Sequence, residues 1–291
     1  MPDKGFLLID KTAGITSFDV IRRLRKLTGI RRIGHCGTLD PFATGLLICA
    51  LGSYTRLIGY LEALDKSYEA TVLLGKSTST GDPEGEINQI SPVNTDCIDP
   101  EYLKAAALAL KELPIPIYSA VKIGGKRAYT LARAGEEVKL DARSTTIHDF
   151  RVTSQPGPDD PEPALGYRCT VSKGTYIRSL SEWIARQLDT VGYTTSLKRV
   201  AIGAIDLNEA ISLEALTPDN WADSLCSPLR LFRHLEIRPT SSEELAILAR
   251  GQSLSDDAED NPTVLIGGPG NDLAGVAERS EGKLHPRINL R

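Results

Sequence analysis

The segment from Gly34 to Gly45 contains the residue types that a catalytic loop needs. It reads G-H-C-G-T-L-D-P-F-A-T-G, so three glycines and a proline restrict the backbone around one carboxylate, Asp40. Because Pro41 follows it, Asp40 is disfavoured in helical geometry, and its side chain is presented from a fixed turn. A carboxylate presented in this way can act as a nucleophile or as a general base. An Asp-Pro step among glycines is also typical of a plain turn, and the loop alone leaves both interpretations open.

Other chemistries lack their sequence signals. The chain has no G-x-x-x-x-G-K-[ST] segment and no strand-glycine-helix fingerprint, so a phosphate cradle for a small metabolite is not supported. The cysteines are odd in number and widely spaced, with no C-x-x-C pair, at positions Cys36, Cys49, Cys97, Cys169 and Cys226. This pattern predicts neither a disulfide framework nor a zinc site, and it fits a reducing compartment. We therefore expect no metal site.

The apolar run at the amino terminus, Phe6–Ile9, is followed by Asp10 and is too short for a signal peptide. No later apolar run approaches the length that spans a bilayer. We therefore expect a cytoplasmic protein.

The charge of the chain is acidic in total but segregated. The formal net charge is −4, yet residues 1–35 carry eight Lys and Arg against three Asp, residues 122–151 seven against four acids, and residues 168–199 six against two. If these three basic segments converge in the fold, they form a local surface for a polyanion. Solvated faces that never meet are the alternative interpretation.

The elements around the loop can be predicted from local patterns. Thr16-Ser17-Phe18-Asp19 is a capping-box pattern, and the apolar period after it predicts a helix that ends near Gly29, with basic residues on its outer face. Further strands are predicted at Gly5–Asp10, Ser67–Leu74, Arg143–Thr153 and Tyr167–Val171, and further helices from Asp99 to Leu110 and from Tyr176 to Leu188. The segment Thr78–Gly85 is predicted to be an exposed loop, and Gln155–Pro163 a hairpin loop or an insertion. Strands and helices mix without a βαβ rhythm, which favours an α+β fold.

The length of 291 residues favours a main domain with a smaller module. The pattern changes near Leu235–Pro239, after which a helix at Ser242–Arg250 and short strands at Thr263–Ile266 and Leu273–Ala277 are predicted. We therefore expect two units, residues 1–235 and residues 236–291, the second small and β-rich.

The Gly34–Gly45 segment resembles motif II of the TruB family of pseudouridine synthases, G-H-x-G-T/A-L-D-P-x-A-x-G, at every position. The resemblance continues in the same order at Lys66–Tyr68, Pro116–Lys122 and Lys173–Leu180, and it covers residues 5–235. It implies a catalytic domain built on a mixed, mainly antiparallel sheet flanked by helices. It also implies isomerisation of uridine to pseudouridine at position 55 in the tRNA T loop, by a monomer without cofactor or obligatory protein partner. Residues 236–291 are similar to a PUA-type RNA-binding module, through Leu248–Gln252 and Leu284–Pro286, although the run Asp256–Asp260 is acidic.

Carried over residue by residue, the resemblance makes Asp40 the catalytic carboxylate, Arg178 its partner and Tyr68 the ring that stacks on the target base. Leu197 would form an apolar wall, and His35 would pack against the tRNA loop from which the target is everted. Without the family, Tyr68 and Leu197 would be core residues and His35 a loop histidine. The other residues expected to bind substrate are Arg22, Arg23, Lys66 and Lys122.

Burial beside a base would raise the pKa of Asp40, and the planar guanidinium of Arg178 is the natural compensation. A tRNA-binding protein that refolds the loop without modifying it would use the same basic surface, His35 and Tyr68. Asp40 discriminates between the two functions, because a negative charge in an RNA pocket opposes binding and is explained by a role in chemistry.

Overall fold

The computed structural model describes residues 2–119, 121–136, 138, 140–158, 160–268, 270 and 272–290. Ala120, in one of the TruB-like segments, lies outside the described residues. The strands are β1 (Gly5–Lys11), β2 (Ile33–His35), β3 (Thr44–Leu51), β4 (Lys66–Leu74), β5 (Lys76–Thr78), β6 (Ile87–Ile90), β7 (Glu112–Pro114), β8 (Lys122–Ile123), β9 (Lys126–Arg127), β10 (Ala142–Ser144), β11 (Ile147–Ser154), β12 (Ala164–Val171), β13 (Gly192–Ile202), β14 (Ile205–Asp206), β15 (Ile211–Ser212), β16 (Glu236–Pro239), β17 (Leu254–Ser255), β18 (Asn261–Gly267), β19 (Leu273–Ser280) and β20 (Lys283–Asn289). The helices are α1 (Ser17–Thr28), α2 (Ile58–Glu62), α3 (Pro100–Ala109), α4 (Ala128–Arg133), α5 (Ile177–Gln187), α6 (Pro228–Leu231) and α7 (Ser242–Ala249).

One large sheet organises the residues around the Asp40 loop. Its strand order is β11-β12-β4-β13-β3-β1-β15, with β14 added to β13 and β2 added to β3. The pairs β13/β3 and β1/β15 are parallel, whereas the other neighbours are antiparallel. The predicted α+β fold with a mixed, mainly antiparallel sheet is therefore confirmed.

Helix α1 forms for the local reasons that the sequence indicates. Thr16 accepts a hydrogen bond from the Asp19 amide and the Asp19 side chain accepts one from the Thr16 amide, which completes the capping box. Gly29 ends the helix in the left-handed conformation, with φ at 74°. Val20, Ile21 and Leu24 are buried against β1 and β3, in a cluster with Leu7, Ile9, Leu47 and Cys49.

The other predicted helices and strands form within a few residues of the expected bounds, but two expectations differ. The predicted strand Arg143–Thr153 is divided, because β10 pairs with β7 and β11 pairs with β12. The loop Thr78–Gly85 was predicted to be exposed, and this is wrong for Thr78 and Asp82, which are buried. Thr78 donates a hydrogen bond to the Asp82 carbonyl at 2.8 Å, so the loop is closed by its own polar groups.

The carboxyl-terminal residues form their own sheet, in the order β16-β18-β19-β20-β17, with α7 packed on it. This sheet also shares a hydrophobic cluster with the main sheet, where Leu273, Val276 and Leu290 contact the group that contains Phe6 and Ile48. Whether the domains divide at residue 235 stays a prediction. In the described part of the chain, no helix has both the length and the hydrophobicity to cross a membrane.

Candidate active site

Asp40 lies in the loop that connects β2 to β3, and this loop is fastened to the start of α1. The Ser17 hydroxyl accepts a hydrogen bond from the Leu39 amide at 2.9 Å and donates to the Leu39 carbonyl at 3.2 Å. On the other side of Asp40, the Pro41 carbonyl accepts from the Gly14 amide at 2.9 Å. The backbone is therefore held by the Ser17 hydroxyl on one side of the carboxylate and by the Gly14 amide on the other, which fixes the position of Asp40.

Lys11 lies beneath this loop and was not predicted as a site residue. Its side chain is buried, and its ammonium donates to the carbonyls of Ile15 at 2.8 Å, Thr12 at 3.0 Å and Pro41 at 3.2 Å. Burial lowers the pKa of Lys11 to about 8, and the charge of Asp40 opposes this shift. Lys11 therefore places a positive charge and a backbone anchor close to Asp40.

The structure brings Asp40 and Arg178 together. The Nε atom of Arg178 lies 2.9 Å from Oδ2 of Asp40, and Nη2 donates to Oδ1 at 3.4 Å. The Arg178 side chain is 4% exposed, whereas that of Asp40 is 32% exposed. The carboxylate of Asp40 is thus partly accessible to solvent, whereas its counter-ion, Arg178, is buried.

Arg178 is itself held from the other side by groups that sequence reasoning missed. Its Nη1 atom lies 3.2 Å from Oδ2 of Asp82 and donates to the Thr80 carbonyl at 2.8 Å, while Nη2 donates to the Tyr118 carbonyl at 2.9 Å. Asp82 also accepts hydrogen bonds from the Thr80 hydroxyl and the Glu84 amide. The available signal was that Asp82, like Asp40, precedes a proline in a glycine-containing turn.

The ionisation of Asp40 reflects opposing environments. Burial raises the pKa of Asp40 above its usual value, and the negative charge of Asp82 acts in the same direction. The charge of Arg178 and its hydrogen bond lower the pKa of Asp40, and Lys11 adds a smaller contribution of the same sign. Removing the positive charge of Arg178 is therefore expected to raise the pKa of Asp40, and removing the negative charge of Asp82 is expected to lower it.

Tyr68 and Leu197 belong to the hydrophobic cluster that also contains Leu39 and Ala43. Both side chains are buried, Tyr68 at 8% and Leu197 at 6% exposure. Tyr68 on β4 pairs with Arg199 on β13, two residues after Leu197, so all three side chains lie on one face of the sheet. Burial raises the pKa of the Tyr68 phenol, and the positive charge of Arg199 opposes this shift.

The other residues that the sequence predicts to bind substrate differ in how exposed they are. His35 is on β2, five residues before Asp40, and is half-buried. The side chains of Arg22 and Arg23 are 66% and 53% exposed, and Lys122 on β8 is exposed. Lys66 is different, because its ammonium is buried and donates to the Glu62 carbonyl at 2.5 Å and to the Leu64 carbonyl.

Some cationic side chains of the three basic segments are therefore buried and do not contribute to a basic surface. Lys11, Arg178 and Arg199 in these segments are buried, as is Lys66 outside them, and their donors are directed to carbonyls or carboxylates inside the protein. Sequence counting could not separate these cations from the exposed ones. The exposed basic residues, among them those of α1 and Lys122 and Lys126 of the β8–β9 hairpin, are the groups that a polyanion could contact.

A family model and curated relatives match this chain. Residues 25–177 match the family described as TruB family pseudouridylate synthase (N terminal domain). The tRNA pseudouridine synthase B of Thermobifida fusca (strain YX) is 40% identical over 291 residues, which cover 98% of this chain and 97% of that relative. The tRNA pseudouridine synthase B of Leifsonia xyli subsp. xyli (strain CTCB07) is 42% identical over 223 residues, which cover 75% and 73%.

Solved structures share the fold at low sequence identity. A chain from the crystal structure of a Cbf5-Nop10-Gar1 complex superposes with a TM-score of 0.69 at 20% identity, covering 99% of this chain and 84% of that chain. A chain from an H/ACA RNP bound to a substrate RNA containing 2'-deoxyuridine superposes with a TM-score of 0.66 at 19% identity, covering 99% and 85%. These similarities support the fold, whereas the curated relatives support the family.

Proposed function

Because this chain belongs to the TruB family of pseudouridylate synthases, we propose that it isomerises uridine to pseudouridine at position 55 in the T loop of tRNA. The relatives at 40% and 42% identity are named tRNA pseudouridine synthase B, which supports tRNA as the substrate. We place the reaction in the cytoplasm, with the enzyme acting as a monomer. The observation that carries the proposal is the Asp40–Arg178 ion pair beside the hydrophobic cluster that contains Leu39, Tyr68 and Leu197.

The reaction breaks the N1–C1′ glycosidic bond, turns the uracil within the pocket and joins C5 to C1′. Ionised Asp40 can attack C1′, or it can remove the C2′ proton to give a glycal. Both routes need a carboxylate and not a carboxylic acid. Arg178 favours the ionised form of Asp40 and orients its carboxylate, since the guanidinium contacts both Oδ1 and Oδ2 of Asp40.

A uridine in a folded T loop must leave its stack before Asp40 can reach C1′. This costs a few kcal/mol, and stacking on an aromatic side chain recovers about 1–3 kcal/mol. Tyr68 would provide that aromatic face, and Leu197 would close the pocket on the same side of the sheet. His35 would pack against the loop from which the uridine has turned out. The Tyr68 hydroxyl would relay the C5 proton after the new bond forms, giving up its own proton to solvent as it takes the one from C5.

Exposed cations would bind the tRNA backbone. Arg22, Arg23 and Lys122 are available for phosphate contacts, which position an RNA without specifying its sequence. Lys66 would support the site indirectly, because its buried ammonium caps carbonyls at the end of α2. The shape of the T stem-loop would then decide which uridine enters the pocket.

One assay tests the proposal directly. Unmodified tRNA transcript is incubated with the protein, and pseudouridine is mapped at single-nucleotide resolution. We expect pseudouridine at position 55 of the T loop and at no other uridine of that transcript. Binding without modification would instead support a tRNA-refolding function, and modification at a different uridine would overturn the assigned position.

Replacing Asp82 by Asn should lower the single-turnover rate by about 10- to 10²-fold, because a loosely held Arg178 misplaces Asp40. Loss of the Asp82 charge also removes one influence that raises the pKa of Asp40. The acid limb of the rate profile should therefore move to lower pH. Asp96→Asn, at an exposed carboxylate, is the matched control. A slower variant whose acid limb moves to higher pH would contradict this electrostatic role.

The salt dependence of tRNA binding tests whether the basic residues of α1 contact RNA phosphates. The logarithm of the tRNA association constant should fall linearly with the logarithm of the salt concentration. We expect a slope between roughly −3 and −5, which corresponds to about four to six neutralised phosphates. Reversing Arg22, Arg23 and Lys26 to Glu should flatten the slope. A triple reversal of Lys76, Lys104 and Lys111, which lie outside the three basic segments, controls for total charge. Equal slopes in the two triple variants would show that α1 does not face RNA.

Turnover should survive chelation, because His and Cys residues lack metal-ligand spacing in the sequence. The measurement adds EDTA to enzyme and transcript after the RNA has been folded and its fold checked. Loss of activity that returns on adding a divalent cation would show that the proposed metal-free chemistry is wrong.

A further inference from the structure

Arg178 is held between α5, which carries it, and the loop that contains Asp82, and one residue of β13 contacts both of these parts. Thr194 is 0% exposed, and its main-chain amide donates to the Gly81 carbonyl at 3.0 Å. Gly81 belongs to the loop that supplies the Thr80 carbonyl and Asp82 to Arg178. The backbone of Thr194 therefore fixes the loop that holds one end of the Arg178 guanidinium.

The side chain of Thr194 reaches in the other direction, to α5. Its hydroxyl donates to the Ser181 hydroxyl at 2.9 Å. The Ser181 oxygen lies 2.6 Å from the Tyr167 phenol oxygen, and the Tyr167 hydroxyl donates to the Ile177 carbonyl at 3.4 Å. Thr194, Ser181 and Tyr167 are all 0% exposed, and we call these three residues the hydroxyl chain. The hydroxyl chain runs from β13 through α5 to β12 and returns to α5.

The donors of the hydroxyl chain have one consistent order, because each hydroxyl has a single proton to donate. Tyr167 gives its proton to the Ile177 carbonyl, and Thr194 gives its proton to Ser181. The Ser181 hydroxyl is therefore the donor to the Tyr167 oxygen. Burial raises the pKa of Tyr167 well above its ordinary value, so the phenol keeps its proton. A substitution that removes one of these hydroxyls leaves a buried polar partner unsatisfied.

The hydroxyl chain holds α5 at two points that flank Arg178. Ile177 immediately precedes Arg178, and Ser181 follows it by almost one turn of helix. Fixing these two points sets the rotation and the depth of the first turn of α5 against the sheet. This rotation decides whether Arg178 can place its Nε atom 2.9 Å from Asp40 while Nη1 lies 3.2 Å from Asp82.

We propose that the hydroxyl chain consists of positioning residues for Arg178, with Thr194 setting the distance between α5 and the Gly81 loop so that the guanidinium reaches Asp40. This inference rests on the proposed function. The amide of Thr194 holds the loop and its hydroxyl holds the helix, so both parts that position Arg178 share one anchor. The three side chains act through Arg178 and not on the substrate.

The pH–rate profile reports whether Arg178 is in place. The charged groups around Asp40 and its partner are Arg178 and Glu182 on α5, Asp82 in the loop and Lys11 on β1. Thr194→Val loosens α5 but keeps the main-chain amide that holds the loop. Because the charge of Arg178 lowers the pKa of Asp40, displacing Arg178 raises that pKa and moves the acid limb to higher pH. A loss of stability alone reduces the amount of folded enzyme without moving the acid limb.

The experiment measures single-turnover rates of uridine conversion in tRNA transcript across pH, at saturating enzyme. For Thr194→Val we expect a rate lower by about tenfold at neutral pH and an acid limb at higher pH, because Arg178 is misplaced. Thr194→Ser restores the hydroxyl, and it should return the rate and the acid limb toward those of the wild type. Thr195→Val is the matched control and should match the wild type, since it removes a hydroxyl of the same strand that donates to the Thr71 carbonyl and not to α5.

A double variant with Arg178 tests whether the hydroxyl chain acts through that residue. Added to Arg178→Ala, Thr194→Val should cause no further slowing and no further movement of the acid limb, because the group through which it acts is absent. Tyr167→Phe interrupts the hydroxyl chain at its other end and should move the acid limb in the same direction. This variant keeps the test decisive if Thr194→Val does not fold.

Two results for folded enzyme would overturn the proposal. One is a Thr194→Val variant whose acid limb is that of the wild type, whether its rate is lower or unchanged. The other is equal slowing by Thr194→Val in the wild-type and the Arg178→Ala backgrounds. Absence of pseudouridine from the wild-type reaction would refute the proposed function instead, and it is recognised before any variant is compared.

Discussion

Asp40→Asn should lower the single-turnover rate by at least roughly 10³-fold while tRNA affinity stays near that of the wild type. The amide has the shape of the carboxylate but cannot attack C1′ or accept the C2′ proton at a useful rate. Binding should persist because the phosphate contacts assigned to Arg22, Arg23 and Lys122 are untouched. The variant should also fold, since Arg178 keeps Asp82 and two carbonyl acceptors.

The measurement pairs a single-turnover assay with a direct binding titration on the same transcript. Asp96→Asn, an exposed carboxylate to amide change, should match the wild type in both. Residual activity within tenfold of the wild type would remove Asp40 from the mechanism. Loss of affinity together with loss of rate would assign Asp40 to binding, contrary to the expectation for a negative charge beside RNA.

Arg178→Ala is expected to have the second largest effect, through chemistry more than through binding. The guanidinium contacts Asp40, Asp82 and two carbonyls, so its removal leaves the buried carboxylate of Asp82 without a counter-ion. Removing one partner of a buried pair costs about 3–5 kcal/mol of stability, so thermal unfolding must be followed in parallel. Arg178→Lys keeps a charge but loses the bidentate fork, and it should recover only part of the rate.

The direction in which the acid limb of the pH–rate profile moves distinguishes a role of Arg178 in chemistry from a role in phosphate binding. Burial already raises the pKa of Asp40, and Arg178 opposes that shift. Without Arg178 the pKa of Asp40 should rise further, so the ionised form appears only at higher pH and the acid limb moves to higher pH. Asp82→Asn should move the same limb to lower pH. An unchanged acid limb in Arg178→Ala, combined with weaker tRNA binding, would identify Arg178 as a phosphate ligand.

Much of the site could be predicted from the sequence because its elements are locally determined. The capping box at Thr16 and Asp19, the apolar period after it and Gly29 define α1 within a single stretch of chain. The Asp40 loop likewise contains its own glycines and proline. These patterns depend on backbone preferences and on hydrogen bonds between near neighbours, which a sequence displays directly.

Charged residues that turn inward could not be recognised from the sequence. Lys66 precedes Tyr68 by two residues, so both side chains lie on the same face of β4, and this face is buried. The sequence shows a cation near a site residue but not that its ammonium caps the carbonyls of α2. For the same reason, Arg199 was counted with the basic surface, although it follows the buried Leu197 by two residues on β13.

Only the tertiary structure decided the partners of these charges. Asp82 lies 96 positions from Arg178 in the chain, and Arg199 lies 162 positions from Gly37 and 153 from Leu46. Their contacts depend on the register of β13 with β3 and β4 and on how the Thr78–Gly85 loop folds over α5. By itself the sequence determined which local elements form and which residue types are available for chemistry. The pairing of strands distant in sequence decided which buried charges meet, because that pairing is selected by the packing of the whole core.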